Sequence, residues 1–188
     1  MAVAALVLVG GLAAGYQASL TPVTLIDNGH SRQVYTQQET VGALLLDLGL
    51  EVYPEDIVEP AAEQPLEPEM VVRITRARPV QVQADGRVWQ LRTHASALDD
   101  ILAEAGIALA AYDRAVVESS PADDPAVRIR VERAIPISVH ENGQMITLHT
   151  TATTVGSALA EAGLSLYLAD QVEPALDEPL SAGMHIYI

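Results

Sequence analysis

The chain has 188 residues, 49% of them hydrophobic, which is ample for folded cores and excludes wholesale disorder. All ten basic residues are arginine, set against 25 acidic ones for a formal charge of −15, a balance that repels nucleic-acid phosphates and anionic lipid headgroups. The absence of cysteine excludes a disulfide framework, a thiol nucleophile and a cysteine zinc site, and with 4% aromatics and no Phe the cores fall to Val, Leu, Ile and Ala.

The first stretch differs from the rest. Met1 to Tyr16 carries no charge, and the first charged residue is Asp27. Ala2 to Leu12 reads as an apolar run followed by the small residues Ala13, Ala14 and Gly15. Two readings stand for residues 1–20, both as an apolar helix: a secretory signal with a cut after Gly15, or a membrane anchor, for which about 20 apolar residues are needed. A basic flank is missing from both, so a start further upstream is expected.

From residue 22 onward the chain repeats itself without a gap every 57 residues: Pro22, Pro79, Pro136; Gly29, Gly86, Gly143; Thr36, Thr93, Thr150; Leu45, Leu102, Leu159; Gly49, Gly106, Gly163; Asp56, Asp113, Asp170. The expected units are 22–78, 79–135 and 136–188, the third ending before its counterpart of Arg76-Ala77-Arg78, which reads as the front of a longer protein. Each opens with alternating apolar residues (Val23 and Leu25; Val80 and Val82; Ile137 and Val139), a half-buried strand. Asn28-Gly29, Asp85-Gly86 or Asn142-Gly143 then signals a tight hairpin, because a type I′ turn needs φ > 0 at both central positions. A returning strand (Val34; Trp89 and Leu91; Ile146 and Leu148) leads to a helix starting near 40, 97 and 154. Its apolar stripe is Val41, Leu44, Leu45, Leu48, then Leu98, Ile101, Leu102, Ala105, then Val155, Ala158, Leu159, Ala162. Ser96 and Thr153 are the expected N-caps, and the recurrent Gly49, Gly106 and Gly163 the left-handed residues that end each helix. A loop with the recurrent Asp precedes a last strand: Val72 and Ile74, Ile129 and Val131, Ile186 and Ile188. Strand, turn, strand, helix, loop, strand is the order of an α+β ubiquitin-like (β-grasp) unit. The joins, Ile74 to Val82 and Val131 to Val139, hold no Gly or Ser, so a stiff, rod-like array of three is expected.

The pattern Val23-x-Leu25-x-x-x-Gly29, Thr36-x-x-x-Thr40-Val41-x-x-x-Leu45-x-x-x-Gly49, Asp56 and Ile74-x-Arg76-Ala77-x-Pro79-Val80-x-Val82 resembles the ubiquitin-like repeat of YabE-type and resuscitation-promoting-factor-type bacterial wall proteins. The third copy matches through Thr150, Thr154, Val155, Leu159, Gly163 and Asp170; the second departs at Ala97-Leu98. The resemblance implies an extracytoplasmic, secreted or membrane-anchored chain in which such repeats are spacers or wall-binding modules that present a peptidoglycan-acting domain, and are not themselves enzymes.

No phosphate loop, nucleophile elbow or His-Glu-x-x-His motif occurs, and no catalytic, cofactor or metal site is expected. His30 and His140 flank turns and read as solvated. Asp123-Asp124 sits in a Pro-rich loop of one copy only, and the recurrent Asp56, Asp113 and Asp170 read as turn carboxylates that accept local backbone N–H bonds. Trp89, two residues from Leu91, reads as core. Arg73, Arg76, Arg78, Arg128, Arg130 and Arg133 gather on the last strands and joins. They serve either to bind an anionic wall polymer or another envelope protein, or to neutralise carboxylates of the neighbouring unit. The function expected is a non-catalytic spacer of a cell-envelope protein, with a glycan-, peptide- or protein-binding module as the alternative.

Overall fold

The computed structural model describes residues 20–119 and 125–188. All but the last residue of the apolar segment 1–20 lies outside them, as does Asp123-Asp124. Contacts divide the chain into two compact units, one ending at Ala77 and one spanning Arg78–Ile188.

In the first unit β1 (Thr21–Asp27) and β2 (His30–Thr36) form an antiparallel hairpin, Thr21 opposite Thr36 and Asp27 opposite His30. Asn28 and Gly29 take φ of 45° and 86°, the pair of positive angles that a two-residue turn matching strand twist demands. Helix α1 (Val41–Asp47) begins at Thr40, whose Oγ1 accepts from the Ala43 N–H at 3.3 Å, and ends at Gly49, φ 64°. Its stripe Val41, Leu44 and Leu45 packs on Val23, Leu25, Val72 and Ile74 to make the core. Strands β3 (Ile57–Glu59) and β4 (Met70–Thr75) complete a sheet of order β2-β1-β4-β3, in which β4 runs parallel to β1 from Val23↔Met70 to Asp27↔Ile74. Parallel pairing needs a long crossover, and the helix and its loop supply it.

The second unit holds two more sheets. Strands β5 (Arg78–Ala84), β6 (Arg87–Thr93), β7 (Arg114–Glu118) and β8 (Val127–Glu132), with helix α2 (Leu98–Glu104), repeat the arrangement in the order β6-β5-β8-β7. Strands β9 (Ile135–Glu141), β10 (Gln144–Thr150) and β11 (His185–Tyr187), with α3 (Val155–Glu161), form a three-stranded sheet of order β10-β9-β11. Both central pairs, β5 with β8 and β9 with β11, are parallel. Trp89 packs half-buried against the second core, as its spacing from Leu91 required.

Three local expectations are corrected. The N-caps fall one residue later, at Ala97 and Thr154. Thr154 and Ser157 form a reciprocal capping box, whereas Ala97 has no side chain to offer and Asp99 and Asp100 in the first turn of α2 face the positive helix end instead. Ala162, placed on the stripe by the sequence, is exposed at the C-cap of α3, whereas its counterparts Leu48 and Ala105 pack partly buried against their cores. The edge strands β3 and β7 have no counterpart in the sequence reading.

The recurrent Thr36, Thr93 and Thr150 gain a reason. Each is buried, and each Oγ1 accepts the N–H two residues on, from Gln38, Ala95 and Ala152 at 2.9–3.0 Å. This closes the turn that swings the chain from the second strand toward the helix. At α1 and α3 the first free N–H groups bond to the following loop, Gly42 to the Ala62 carbonyl and Gly156 to the Leu176 carbonyl, both at 2.8 Å. A Cβ at either glycine would meet that oxygen at 3.1 Å, so the loop lies against the helix only where no side chain intervenes.

Candidate functional site

The most constructed polar site in each of the first two repeats lies where the last strand leaves the sheet. In the first, Arg76 reaches between two carboxylates. Its Nη2 is 2.9 Å from Asp27 Oδ2, its Nε 2.9 Å from Asp27 Oδ1, and its Nη1 3.0 Å from Asp56 Oδ2, while it also donates to the Glu51 carbonyl. The other Asp56 oxygen accepts the Ala77 N–H at 2.8 Å, and Oδ2 accepts the Tyr53 N–H at 3.1 Å. The second repeat builds the same clamp. Arg133 bonds Asp85 through Nε and Nη2 at 2.9 and 2.8 Å and Asp113 through Nη1 at 2.7 Å, and Asp113 accepts the Ala134 and Ala110 N–H groups at 2.9 Å. In the third, Asp170 accepts the Tyr167 N–H at 2.7 Å.

The recurrent Asp is therefore a turn carboxylate as read, but it does more. It ties the turn to the chain segment that leaves the unit. Burial alone would raise its pKa. For Asp56 that burial is the largest influence, and the two N–H donors and the guanidinium together outweigh it, so the net shift is downward. The Ala110 and Ala134 N–H groups, then Arg133, hold Asp113 at about 2, below its ordinary 3.8. Arg76 hydrogen bonding likewise lowers Asp27, and Arg133 lowers Asp85. A carboxylate depressed in the folded state contributes stability that is full above its unfolded pKa of 3.8 and is lost as pH falls through about 2. Acid titration of the second repeat, followed by Trp89 fluorescence, is expected to show flat stability from pH 7 to about 5 and a steep fall between about pH 4 and pH 2. Stability that declines evenly from pH 6 would contradict this origin.

Within the second unit a seam joins the second and third repeats. Arg114 at the start of β7 bonds Glu161 at the end of α3 at 3.0 Å, Glu161 also accepts from Thr150, and Tyr112 stacks on His149 with centroids 4.6 Å apart at 10°. Two shallow grooves follow this seam. One, of about 300 Å³, is lined by Asp85, Arg130, Arg133, Thr151 and Thr153 among others. The next, of about 340 Å³, is lined by Arg114, Glu132, Thr153, Ser157 and Glu161 among others. Their charged groups are largely paired with one another, so what the seam offers a ligand is hydroxyl and backbone hydrogen bonding.

The six arginines do not act as one set. Arg73 and Arg76 belong to the first unit, and Arg78, Arg128, Arg130 and Arg133 to the second. Arg76 and Arg133 neutralise carboxylates of their own repeat, not of a neighbour. Arg130 pairs with Glu118 and Glu132 at 2.6 Å, and Arg78 donates to the Ala95 carbonyl. Arg73 stands exposed on β4, and Arg128 lies half-buried on β8. His140 is not simply solvated: it is half-buried, stacks on Tyr187 and bonds His185. The clamp's carboxylate at the hairpin escaped the sequence reading because it shifts by one position between copies, from Asp27 to Asp85, and an ungapped comparison hides it. Among the described residues no helix is long and apolar enough to cross a membrane.

Comparison with known proteins meets this geometry at the level of the repeat. The family model of the G5-linked ubiquitin-like domain matches three times, at residues 23–63, 80–118 and 137–177. The chain is 29% identical to the "putative cell wall shaping protein YabE" of Bacillus subtilis over 96% of its own length and 45% of that protein's. It is 26% identical to resuscitation-promoting factor Rpf2 of Corynebacterium glutamicum, over 99% of this chain and 49% of the relative. With resuscitation-promoting factor RpfB of Mycolicibacterium smegmatis it shares 30% identity over 91% of this chain and 47% of the relative. The chain thus spans about half the length of the curated relatives it matches.

Proposed function

The chain belongs to the family of G5-linked ubiquitin-like domains, and from that premise we propose that it is a non-catalytic spacer of an extracytoplasmic cell-envelope protein, built from repeats at 22–78, 79–135 and 136–188. It holds a wall-acting domain, of the kind its cell-wall-shaping and resuscitation-promoting relatives suggest, at a set distance from the point of export or anchorage. One observation carries the reading. In the first two repeats the two residues that leave the last strand, Arg76-Ala77 and Arg133-Ala134, are both bonded to the recurrent Asp, and the next strand begins at once, at Arg78 and Ile135. A segment whose guanidinium and amide are both held loses conformational freedom up to Ala77 and Ala134. Proline one residue into each new strand removes further freedom. Between the second and third repeats the Arg114–Glu161 pair and the Tyr112–His149 stack add a second fastening.

Small-angle scattering of residues 20–188 tests this. Three units of radius of gyration about 10 Å in line have a maximum dimension of roughly 70–80 Å. Inserting Gly-Ser-Gly-Ser between Ala77 and Arg78, beyond the clamp, is expected to broaden the distance distribution and leave the unfolding transitions in place. A compact wild-type particle would overturn the spacer reading. It would favour a binding module for wall polymer or an envelope protein, with the seam grooves of the second unit as its surface.

A further inference from the structure

We propose that the β10 edge of the third sheet docks a second copy of this chain, the two β10 strands pairing antiparallel across a two-fold axis at Ile146. The inference goes beyond the spacer reading and does not depend on it. It begins with where the backbone points. On β9 the Ser138 N–H donates to the Met184 carbonyl and the His140 carbonyl accepts the Ile188 N–H, both at 2.9 Å, so these two residues turn their polar groups toward the β11 side. Opposite them on β10 stand Thr147 and Met145. In an antiparallel ladder a residue facing such a position carries its own N–H and C=O on its far side. Thr147 and Met145 therefore each present a donor and an acceptor along the outer edge.

The side chains leave this edge open. An edge strand pairs with another chain unless charge, short length or a cover prevents it. Strand β2 carries Arg32, β6 carries Arg87 and Arg92, β7 carries Arg114 and Glu118, and β3 is three residues long. The β11 edge is met by Glu173, which exchanges two backbone bonds with Tyr187 at 2.8 and 2.9 Å. From Gln144 to Leu148, in contrast, β10 holds no ionisable side chain. Met145 is 61% exposed on the outer face, and Ile146, on the core side opposite Val139, is 41% exposed. The first repeat has Arg32 at the position of Ile146.

The strand also fits itself. Setting Met145 opposite the second copy's Thr147, and Thr147 opposite its Met145, aligns the outward groups and closes about four backbone hydrogen bonds. Ile146 then meets its own copy across the axis, a β-branched pair that covers the exposed apolar surface of both. Tyr112 stacks on His149, so the pairing stops at Leu148. Two chains of formal charge −15 repel each other, and an uncharged strand is where they meet without opposing carboxylates. So short a contact makes a weak, concentration-dependent dimer.

Sedimentation velocity of residues 20–188, which hold all three cores, is the test. The weight-average mass is expected to climb toward that of a dimer between about 10 µM and about 1 mM. Added salt is expected to strengthen the association, because it screens the repulsion between copies. Thr147→Pro removes an N–H that its own sheet does not use, which an edge strand tolerates, and is expected to weaken association at least tenfold. Ile146→Arg, which places there the charge of the first repeat, is expected to do the same. Circular dichroism checks that the variants fold. Amide exchange in the wild type needs no variant: Met145 and Thr147 are expected to exchange quickly at about 50 µM and to gain protection at about 1 mM. A wild type that stays monomeric at about 1 mM would overturn the proposal and leave the edge to an extended segment of another protein. Unchanged association in a folded Thr147→Pro, or no gain in protection at those two amides, would overturn it as well.

Discussion

Asp113→Ala is expected to destabilise the second repeat by about 3 kcal/mol, the lower end of what removing one partner of a buried ion pair costs. The Asp113 side chain is 4% exposed and engages three donors, the Ala110 and Ala134 N–H groups and Arg133. Without it two backbone N–H groups lose their acceptor, each worth about 1 kcal/mol or more where burial denies them water. Arg133, which is about a third exposed and keeps Asp85, contributes less. Asp113→Asn retains an acceptor toward one N–H and loses the charge, and an intermediate loss of about 1–2 kcal/mol is expected. The sole tryptophan, Trp89, packs on this core, so urea unfolding of the full chain followed by its fluorescence reports this repeat alone. The acid-induced fall between about pH 4 and pH 2 is also expected to shrink in the alanine variant. An unchanged urea midpoint would mean that the clamp is only a surface ion pair.

Leu102→Ala carries the other large effect, about 2–5 kcal/mol, and Leu45→Ala is its counterpart in the first repeat. Both side chains are buried and lie on the one helical stripe that covers the sheet. A 57-residue unit has few such residues to spare, because small domains bury a low fraction of their surface. The third repeat supplies a natural version of this truncation. Ala158 stands where the first has Leu44 and the second Ile101, and its described sheet has three strands instead of four. Its amides in β9 and β10 are accordingly expected to exchange with deuterium faster than those of β1 and β2 in the intact chain. Slower or equal exchange in the third repeat would show that the seam contacts through Glu161 and His149 compensate for the smaller core.

The parts of the fold that were legible in the sequence are those set by a local rule. Alternation placed β1, β5 and β9, two positive-φ residues placed each hairpin, and the i, i+3, i+4 stripe placed each helix. The three-residue β3 escaped because its ends are exposed and it forms only when β4 offers an edge; no periodicity accumulates over so short a run. The cap at Thr154 lies one residue beyond the expected Thr153 because the two residues cap equally well, and the cap at Ala97 lies one beyond Ser96, the better capping residue, because packing of the stripe against the sheet overrides the local preference. The clamp was half legible. The recurrent Asp and the Arg-Ala pair were both visible, but they are 20 positions apart in the chain, and only the fold brings them together. The His140–His185 contact, 45 positions apart, had no local signal at all.

The parallel pairing of first and last strands has a mechanical consequence. In every repeat the chain enters along one central strand and leaves along its hydrogen-bonded parallel neighbour, β1 beside β4, β5 beside β8 and β9 beside β11. Tension applied to the two ends of such a unit therefore pulls these neighbours lengthwise past each other. The ladder from Val23↔Met70 to Asp27↔Ile74 is loaded in shear, with its bonds sharing the force, whereas a terminal hairpin would peel open one bond at a time. The Arg76 clamp sits at the exit end of that ladder and must yield with it. Units of this topology, joined end to end, resist extension along the axis of their parallel strands.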